Sequence, residues 1–205
     1  MKVEVNVKQE HIIEAAIRRF SHFGVNKTSL AEIAEDLSIS KPLLFYYFQD
    51  KNSLISAVAP TIITEFLEAL EDVLDKAESV EAGLTGFVAV KRDHFKKYFL
   101  LALQGDSLDL QKTPGEMPAV YQQAKLRTIG LIADLLQKGI NETVIRPIDP
   151  VKTSQLLLDT LSAFEYCMKR KNSIPGPEDI DEVFDKQIEV LHLFLDGLKQ
   201  SAWKN

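Results

Sequence analysis

Three side chains within seven residues have chemistry suited to nucleic acid: Lys41, Tyr46 and Tyr47. A lysine ammonium group can reach guanine O6 and N7 or a phosphate, and a phenol can donate to a phosphate oxygen. Leu43 lies between them and offers only apolar contact, for instance to a thymine methyl group. Because adjacent helical residues cannot share a face, we expect one tyrosine to pack and the other to reach a phosphate.

Local sequence signals predict the two short helices that would position these side chains. Ser29 and Glu32 have the spacing of a capping box, so a helix should begin there and continue through a stripe of apolar residues. Ser40 can cap a second helix over residues 41–47, and Pro42 fits its first turn, where a missing N–H has no consequence. Two helices joined by so short a turn form a helix-turn-helix, whose second helix enters the major groove of DNA.

The runs FGVNKTS and IAEDLSISKPLLFYYFQDK resemble the N-terminal DNA-binding signature of the TetR family of transcriptional regulators, over roughly residues 10–55. The resemblance implies phosphate contacts from residues 28, 29, 46, 47 and 51 and base contacts from residues 41–43 and 45. The DNA-binding residues it implies are Thr28, Ser29, Ser40, Lys41, Pro42, Leu43, Phe45, Tyr46, Tyr47 and Lys51.

Two positions depart from the family pattern. Ser38 occupies the turn position where the family usually has glycine, so a positive φ there would strain the serine mildly. Phe45 stands where the family usually has tyrosine, so a hydroxyl contact open to relatives is absent. An alternative interpretation of the aromatic residues is that Phe45 and Phe48 only close the small core against Phe20 and Phe23, and for Phe48 we favour it.

The charge of this segment is modest for a DNA-binding protein. Residues 1–55 carry seven basic and seven acidic side chains, so the whole formal charge of −6 at pH 7 lies in the rest of the chain. A basic footprint is the usual signature of nucleic-acid binding. We therefore expect few phosphate contacts and a shallow salt dependence of DNA binding. We also expect binding to require two copies of this N-terminal DNA-binding segment, called the reading head below.

Composition and helical periodicity predict an all-α protein: an N-terminal three-helix helix-turn-helix domain, residues 1–50, and a larger helical ligand-binding and dimerisation domain, residues 51–205. At 205 residues and 45% hydrophobic content, the chain can bury a substantial core. Pro60 should kink or break the helix that follows residue 50. No signal peptide or uninterrupted apolar span is present, which favours a cytoplasmic protein without membrane contact. The one cysteine, Cys167, is expected in the core.

The last two helices, predicted on either side of the break at residues 173–177, are apolar over more of their circumference than one intrachain face needs. Together with the resemblance, this favours a homodimer in which two helices from each chain form a four-helix bundle, the alternative being one larger monomeric core. The predicted interface residues are Leu157, Leu161, Phe184, Ile188, Leu191 and Leu195.

The middle helices hold aromatic and methionine side chains that could surround an apolar or amphipathic small-molecule effector, an expectation that rests mostly on the resemblance. These residues are Phe87, Phe95, Tyr98, Phe99, Met117, Tyr121, Phe164 and Met168. Ordinary core packing is the alternative for each. A loop rich in glycine and proline is predicted over residues 105–118.

Catalytic and metal-binding patterns do not support an enzyme. The chain has one Glu-x-x-His spacing, Glu189 to His192, whereas carboxylate metal bundles need paired motifs. A phosphate-binding glycine loop, a zinc-protease motif and a nucleophile elbow are absent from the sequence, and no cofactor is predicted. The favoured function is a ligand-responsive repressor that binds a near-palindromic operator as a homodimer. A transcriptional activator or a regulator acting through a protein partner is the alternative.

Overall fold

A computed structural model describes residues 2–101, 117–169 and 175–200, and most of this part of the chain is helical. In chain order the helices are α1 Lys2–Phe23, α2 Leu30–Asp36, α3 Lys41–Tyr47, α4 Lys51–Asp75, α5 Val80–Lys97, α6 Met117–Asn141, α7 Pro150–Lys169 and α8 Pro177–Leu198. The all-α prediction is confirmed. Most of the loop predicted over residues 105–118 lies outside the described residues, and its last two residues belong to α6.

The chain divides into two compact units. The first comprises Met1–Thr64 and Lys97–Gln122, and the second comprises Glu65–Lys96 and Gln123–Asn205. The first unit therefore extends beyond the domain predicted over residues 1–50 and includes the beginning of α4. Leu54 and Val58 show why, since both are buried in the same core as the helices that precede them.

The core of the first unit is built from the apolar faces of α1 to α4. Phe20, Ile33, Leu44 and Leu54 contribute one fully buried side chain from each of these helices. Phe48 is also buried, so the interpretation of that residue as a core aromatic is confirmed. Because every helix of this unit is anchored in one core, α3 is held in a fixed position for its exposed face.

The turn between α2 and α3 is a Schellman motif centred on Ser38. The Ser38 N–H donates to the Glu35 carbonyl at 2.9 Å and the Ile39 N–H donates to the Ala34 carbonyl at 2.9 Å. The motif places Ser38 at a φ of 52°, in the left-handed region that favours glycine. The expectation of mild strain at this position is confirmed.

The same motif ends α6 with a bulkier residue. Thr143 has a φ of 59°, and its N–H donates to the Ile140 carbonyl while the Val144 N–H donates to the Gly139 carbonyl, each at 3.0 Å. A β-branched side chain is poorly tolerated in the left-handed region. Thr143 therefore stores more backbone strain than Ser38.

Replacing Thr143 with glycine is expected to raise the free energy of unfolding by about 1 kcal/mol, because relief of the left-handed strain exceeds the added freedom of the unfolded chain. Urea denaturation followed by circular dichroism measures the change. Glu142→Gly, one position earlier in the same turn, is the control and should lower stability. Equal destabilisation by both variants would contradict a strained Thr143.

Helix α4 continues from Lys51 to Asp75 with Pro60 inside it, so Pro60 does not break the helix, and a kink at this position stays a prediction. This helix is long and apolar enough to cross a membrane by composition, with a mean hydropathy of 1.4 over an 18-residue window. Core helices meet the same criterion, and α4 buries Leu54, Val58 and Leu70. Packing accounts for part of this apolar character, since 28% of the window is buried.

The second unit buries large side chains from α5, α6, α7 and α8, among them Phe87, Leu136, Leu161 and Phe184. Gly83 permits a close approach of α5 and α6, since a Cβ there would lie 2.6 Å from a methyl carbon of Leu135. The four helices form the framework for the remaining predicted sites.

Helices α7 and α8 pack antiparallel. Near the end of α8 the Arg146 N–H donates to the Leu198 carbonyl at 2.9 Å, just before α7 begins, and the Gln187 side chain donates to the Leu161 carbonyl at 3.0 Å halfway along. Asp149 caps α7, accepting from the Lys152 N–H at 3.0 Å. This arrangement brings residues near 156 on α7 level with residues near 193 on α8.

Candidate nucleic-acid interface

The orientation of α3 is set by one buried anchor and one cap. Leu44 is fully buried, and the Ser40 hydroxyl accepts from the Leu43 N–H at 3.3 Å. Since successive helical residues are about 100° apart, Pro42 and Tyr46 fall on the side of α3 opposite Leu44. Both are exposed, so these two residues define the outward face of the helix.

The aromatic residues of α3 separate into exposed and packed members. Tyr46 is 76% exposed, whereas Tyr47 is partly buried and packs on the core of the first unit. Their rings meet edge to face with centroids 5.3 Å apart. The expectation that one tyrosine packs is confirmed. Phe45 is 48% exposed and Phe23 49% exposed, so the interpretation of these two as core aromatics is wrong.

The polar residues before α2 are engaged within the chain. The Thr28 side chain is buried, and its hydroxyl donates to the Gly24 carbonyl at 2.9 Å. Ser29 forms the predicted capping box: its oxygen accepts from the Glu32 N–H at 3.3 Å, and its own N–H donates to the Glu32 carboxylate at 2.7 Å. Ser29 is exposed, but its hydroxyl donates to the Glu32 carboxylate at 2.7 Å, and the Thr28 hydroxyl is held by the Gly24 carbonyl.

Lys41 and Lys51 flank α3. Lys41 is the first residue of α3 and is exposed, and Lys51 is half-buried at the start of α4. The Asp50 carboxylate accepts from the Ser53 N–H at 2.7 Å and so caps α4. The two lysines therefore provide positive charge before and after the outward face of α3.

Arg19 links α1 to α2 and was not anticipated from the sequence. Its guanidinium donates to both Asp36 carboxylate oxygens, one of them at 2.8 Å, and lies 3.2 Å from the Glu32 carboxylate. It also lies over the Phe23 ring, 5.5 Å from the centroid. No local signal could have revealed this contact, because its partners lie on another helix. Arg19 is thereby committed to the fold of the reading head rather than to a phosphate.

These carboxyl groups make the reading head sensitive to acid. Hydrogen bonds from Ser29 lower the pKa of Glu32, and the hydrogen bond from Arg19 lowers the pKa of Asp36. Each depressed pKa gives stability that is present above the ordinary carboxyl value, about 4, and is lost as pH falls through the folded value. We expect the melting temperature to fall as pH drops below about 4 and Asp36→Asn to reduce that dependence. Glu35→Gln, whose side chain makes none of these bonds, should keep it; an unchanged profile in Asp36→Asn would contradict the assignment.

Comparison with known proteins agrees with this geometry. Residues 12–58 match the family described as "Bacterial regulatory proteins, tetR family", a segment that covers most of α1, α2, α3 and the start of α4. The chain is 26% identical to the HTH-type transcriptional regulator RutR of Escherichia coli over 204 residues, covering 95% of this chain and 92% of RutR. Residues 12–58 thus carry the sequence features of the TetR-family DNA-binding domain, and the relatives support a TetR-family transcriptional regulator.

Solved structures show the same fold. A transcriptional regulator from Cytophaga hutchinsonii superposes with a TM-score of 0.82 at 24% identity, covering 94% of this chain and 98% of that one. A TetR-family regulator from Pectobacterium atrosepticum gives a TM-score of 0.72 at 20% identity over 97% of both chains. Both likenesses show that this chain has the fold of these regulators. Because its relatives are regulators, the prediction that it is not an enzyme is confirmed.

The predicted dimer residues mostly face the core of their own chain. All but Ile188 are buried within the single chain, so they cannot meet a partner without opening the second unit; these buried residues are Leu157, Leu161, Phe184, Leu191 and Leu195. Periodicity showed that α7 and α8 are apolar over a broad face but could not tell which residues of that face point inward. The exposed apolar residues, called the outward stripe below, are Leu156 on α7, 61% exposed, and Leu193 on α8, 74% exposed.

The exposed side of α7 also carries Cys167 and Tyr166. The expectation that Cys167 is a core residue is therefore wrong. It lies three turns from Leu156, on the same side of α7, because eleven residues correspond to about three full turns of an α-helix. Cys167 is thus an exposed thiol on the same side of α7 as Leu156.

The predicted effector-pocket residues fall into both units. In the second unit Phe87, Phe95 and Met168 are buried and Phe164 is half-buried. The remaining four belong to the first unit: Tyr98 is buried, Phe99 half-buried and Tyr121 exposed, and the side chain of Met117 lies outside the described residues. A cleft of about 200 Å³ in the second unit is lined instead by Thr85, Val88, Ala89, Arg92, Phe184 and Ile188.

A buried polar cluster in the second unit was missed at the sequence level. The Lys91 ammonium lies 2.7 Å from the Glu165 carboxylate, with side chains only 10% and 18% exposed. Gln187 is fully buried and donates to the same carboxylate and to the Leu161 carbonyl, each at 3.0 Å. Its own carbonyl oxygen is buried and accepts no hydrogen bond from the described residues. The signal available in the sequence was a polar residue on each otherwise inward-facing stripe.

Proposed function

We propose that the protein is a ligand-responsive repressor that binds a near-palindromic operator as a homodimer. The observation that carries the proposal is the presentation of α3: a capped helix anchored by Leu44, with Pro42 and Tyr46 directed outward and Lys41 beside them. Such a helix can enter a major groove without rearrangement of the core.

The proposed DNA contacts are the residues of α3 and its flanks that solvent can reach. Lys41, Pro42, Phe45 and Tyr46 face solvent and address the groove, with Leu43 at its edge. Further proposed contacts are Ser29, Ser40, Tyr47 and Lys51, while the buried Thr28 hydroxyl is held by the Gly24 carbonyl. With so few cations, one reading head binds weakly, and two heads spaced about one helical turn of DNA apart supply the affinity.

The outward stripe of α7 and α8 is the proposed dimer surface. Leu156 and Leu193 are large, apolar and level with each other on antiparallel helices. Paired with the same stripe of a second copy about a twofold axis, they complete a four-helix bundle. Because a monomer would leave both leucines in water, burial across the axis is favourable.

Replacing Leu193 with glutamate is expected to dissociate the dimer and lower operator affinity by about 100-fold, since each head then binds alone. Size-exclusion chromatography with light scattering reports the mass, and fluorescence anisotropy reports the affinity. Leu126→Glu is the matched control, a 57% exposed leucine on α6 outside the stripe. Dimers that survive Leu193→Glu and Leu156→Glu together would exclude this surface.

The proposed effector is an apolar or amphipathic small molecule bound in the second unit. Support comes from the combination of buried aromatic rings, Phe87 and Phe95, with the polar Lys91, Glu165 and Gln187 cluster, which suits a ligand with an apolar body and one polar group. The ligand would favour a dimer whose two copies of α3 no longer match adjacent grooves. Native mass spectrometry of the purified protein tests for a retained ligand.

Recovery of genomic fragments bound by the purified protein tests the DNA-binding proposal as a whole. We expect a near-palindromic sequence whose half-sites are about one helical turn apart. A promoter–reporter fusion carrying that sequence then separates repression from activation, with expression rising when the gene for the regulator is deleted. Fragments without a shared sequence, or expression that falls on deletion, would contradict the proposal.

A further inference from the structure

The outward face of α3 is chemically unusual because it offers much apolar surface and few hydrogen-bonding groups. The helix has the sequence KPLLFYY, in which Lys41 is the charged residue. Phe45 is 48% exposed and Tyr46 76% exposed, and Pro42 is exposed between them and the turn. The Ser40 hydroxyl already accepts from the Leu43 N–H as the helix cap.

This composition restricts which base edges α3 can recognise. Paired hydrogen bonds to adenine N6 and N7 are typical of asparagine or glutamine, and acceptance from cytosine N4 is typical of a carboxylate. Residues 41–47 include none of these side chains, and Lys41 is the group able to address guanine. The base feature in the major groove that an aromatic or proline ring can recognise is the C5 methyl group of thymine.

We propose that α3 selects its half-site chiefly through thymine C5 methyl groups, contacted by Phe45 and Pro42. The inference rests on the proposed function, because it assigns the chemistry by which the same helix recognises DNA. Phe45 has no hydroxyl, so its exposed ring can contribute only by burying apolar surface. A ring held outward by a core-anchored helix is already in position to do so.

The test uses the full-length protein and a duplex obtained by selection from a random library. Each thymine of a half-site is replaced in turn by deoxyuridine, which keeps O4 and the base pair but lacks the methyl group. Affinity measured by fluorescence anisotropy is expected to fall by about fourfold at each contacted thymine, the value of one buried methyl-sized group. Deoxyuridine between the two half-sites is the control and should leave affinity unchanged.

Variants identify the side chain that contacts each methyl group. Phe45→Ala should weaken binding to the unmodified duplex. At the thymine that Phe45 contacts, replacement by deoxyuridine should then cause no additional loss of affinity. Phe45→Leu should retain that loss, because leucine keeps an apolar contact. Phe23→Ala is the matched control, an aromatic of equal exposure on α1, and should preserve the full deoxyuridine pattern.

The outcomes separate this inference from the proposed function. Specific binding that is weakened by deoxyuridine in the half-sites, with the position dependence removed in Phe45→Ala, supports it. Specific binding that no deoxyuridine substitution alters overturns the inference and leaves the proposed function intact. If selection yields no preferred sequence, both are overturned.

Discussion

Replacing Glu165 with alanine is expected to lower the free energy of unfolding by about 3 kcal/mol. The carboxylate lies 2.7 Å from the Lys91 ammonium and also accepts from Gln187, and all three side chains are largely removed from water. Without Glu165 an ammonium group remains buried and unpaired, which is the costly outcome for any buried ion pair. Urea denaturation at neutral pH measures the loss.

A double replacement tests whether the lost stability comes from leaving the Lys91 charge unpaired. Lys91→Met combined with Glu165→Leu should recover most of the lost stability, because apolar residues of similar volume remove the desolvation of both charges. The control is Asp159→Ala, on the same helix as Glu165, which removes an exposed ion pair with Lys125. It should change the free energy of unfolding by about 1 kcal/mol or less. Equal effects of Glu165→Ala and Asp159→Ala would show that the buried cluster contributes no more than a surface pair.

Replacing Pro60 with alanine is expected to raise the free energy of unfolding by about 3 kcal/mol. Pro60 is exposed in the interior of α4, so its ring contributes little packing while it deprives the Ser56 carbonyl of a helical hydrogen bond. Thermal denaturation measures the gain. Thr64→Ala, an exposed residue one turn later, controls for helix propensity alone and should give a smaller increase.

The boundary between the two compact units falls within α4 between Thr64 and Glu65, one turn after Pro60. If the missing hydrogen bond allows α4 to bend during effector response, Pro60→Ala should bind operator well but respond less to effector. Stability that does not increase would contradict the view of Pro60 as a weak point in this helix.

The sequence predicted the reading head well because its signals are local. The Ser29 capping box, the Ser40 cap and the positive φ at Ser38 each depend on residues a few positions apart. Adjacency alone likewise predicted that Tyr46 and Tyr47 would separate. Such features are fixed by hydrogen bonds within one turn of backbone, so pattern and spacing were sufficient.

Features that depend on contacts between helices were not predictable in the same way. The Arg19 contact with Asp36 joins two helices, and the Lys91 pair with Glu165 joins two others. Periodicity showed that α7 and α8 are apolar on a broad face but could not assign Leu157 inward and Leu156 outward. Cys167 was misplaced for the same reason, since the direction of a helix face is decided by its neighbours.

The central claim is that α3 reads a specific DNA sequence through its outward face. Its most direct test is fluorescence anisotropy of the selected duplex and a scrambled duplex with the wild-type protein and with the Lys41→Ala, Tyr46→Ala double variant. Lys76→Ala, a 73% exposed lysine remote from the motif in sequence, is the control. We predict tight binding of the selected duplex by the wild type and the control and weak binding by the double variant, at unchanged melting temperature. Equal affinity of the wild type and the double variant for the selected duplex would contradict the claim.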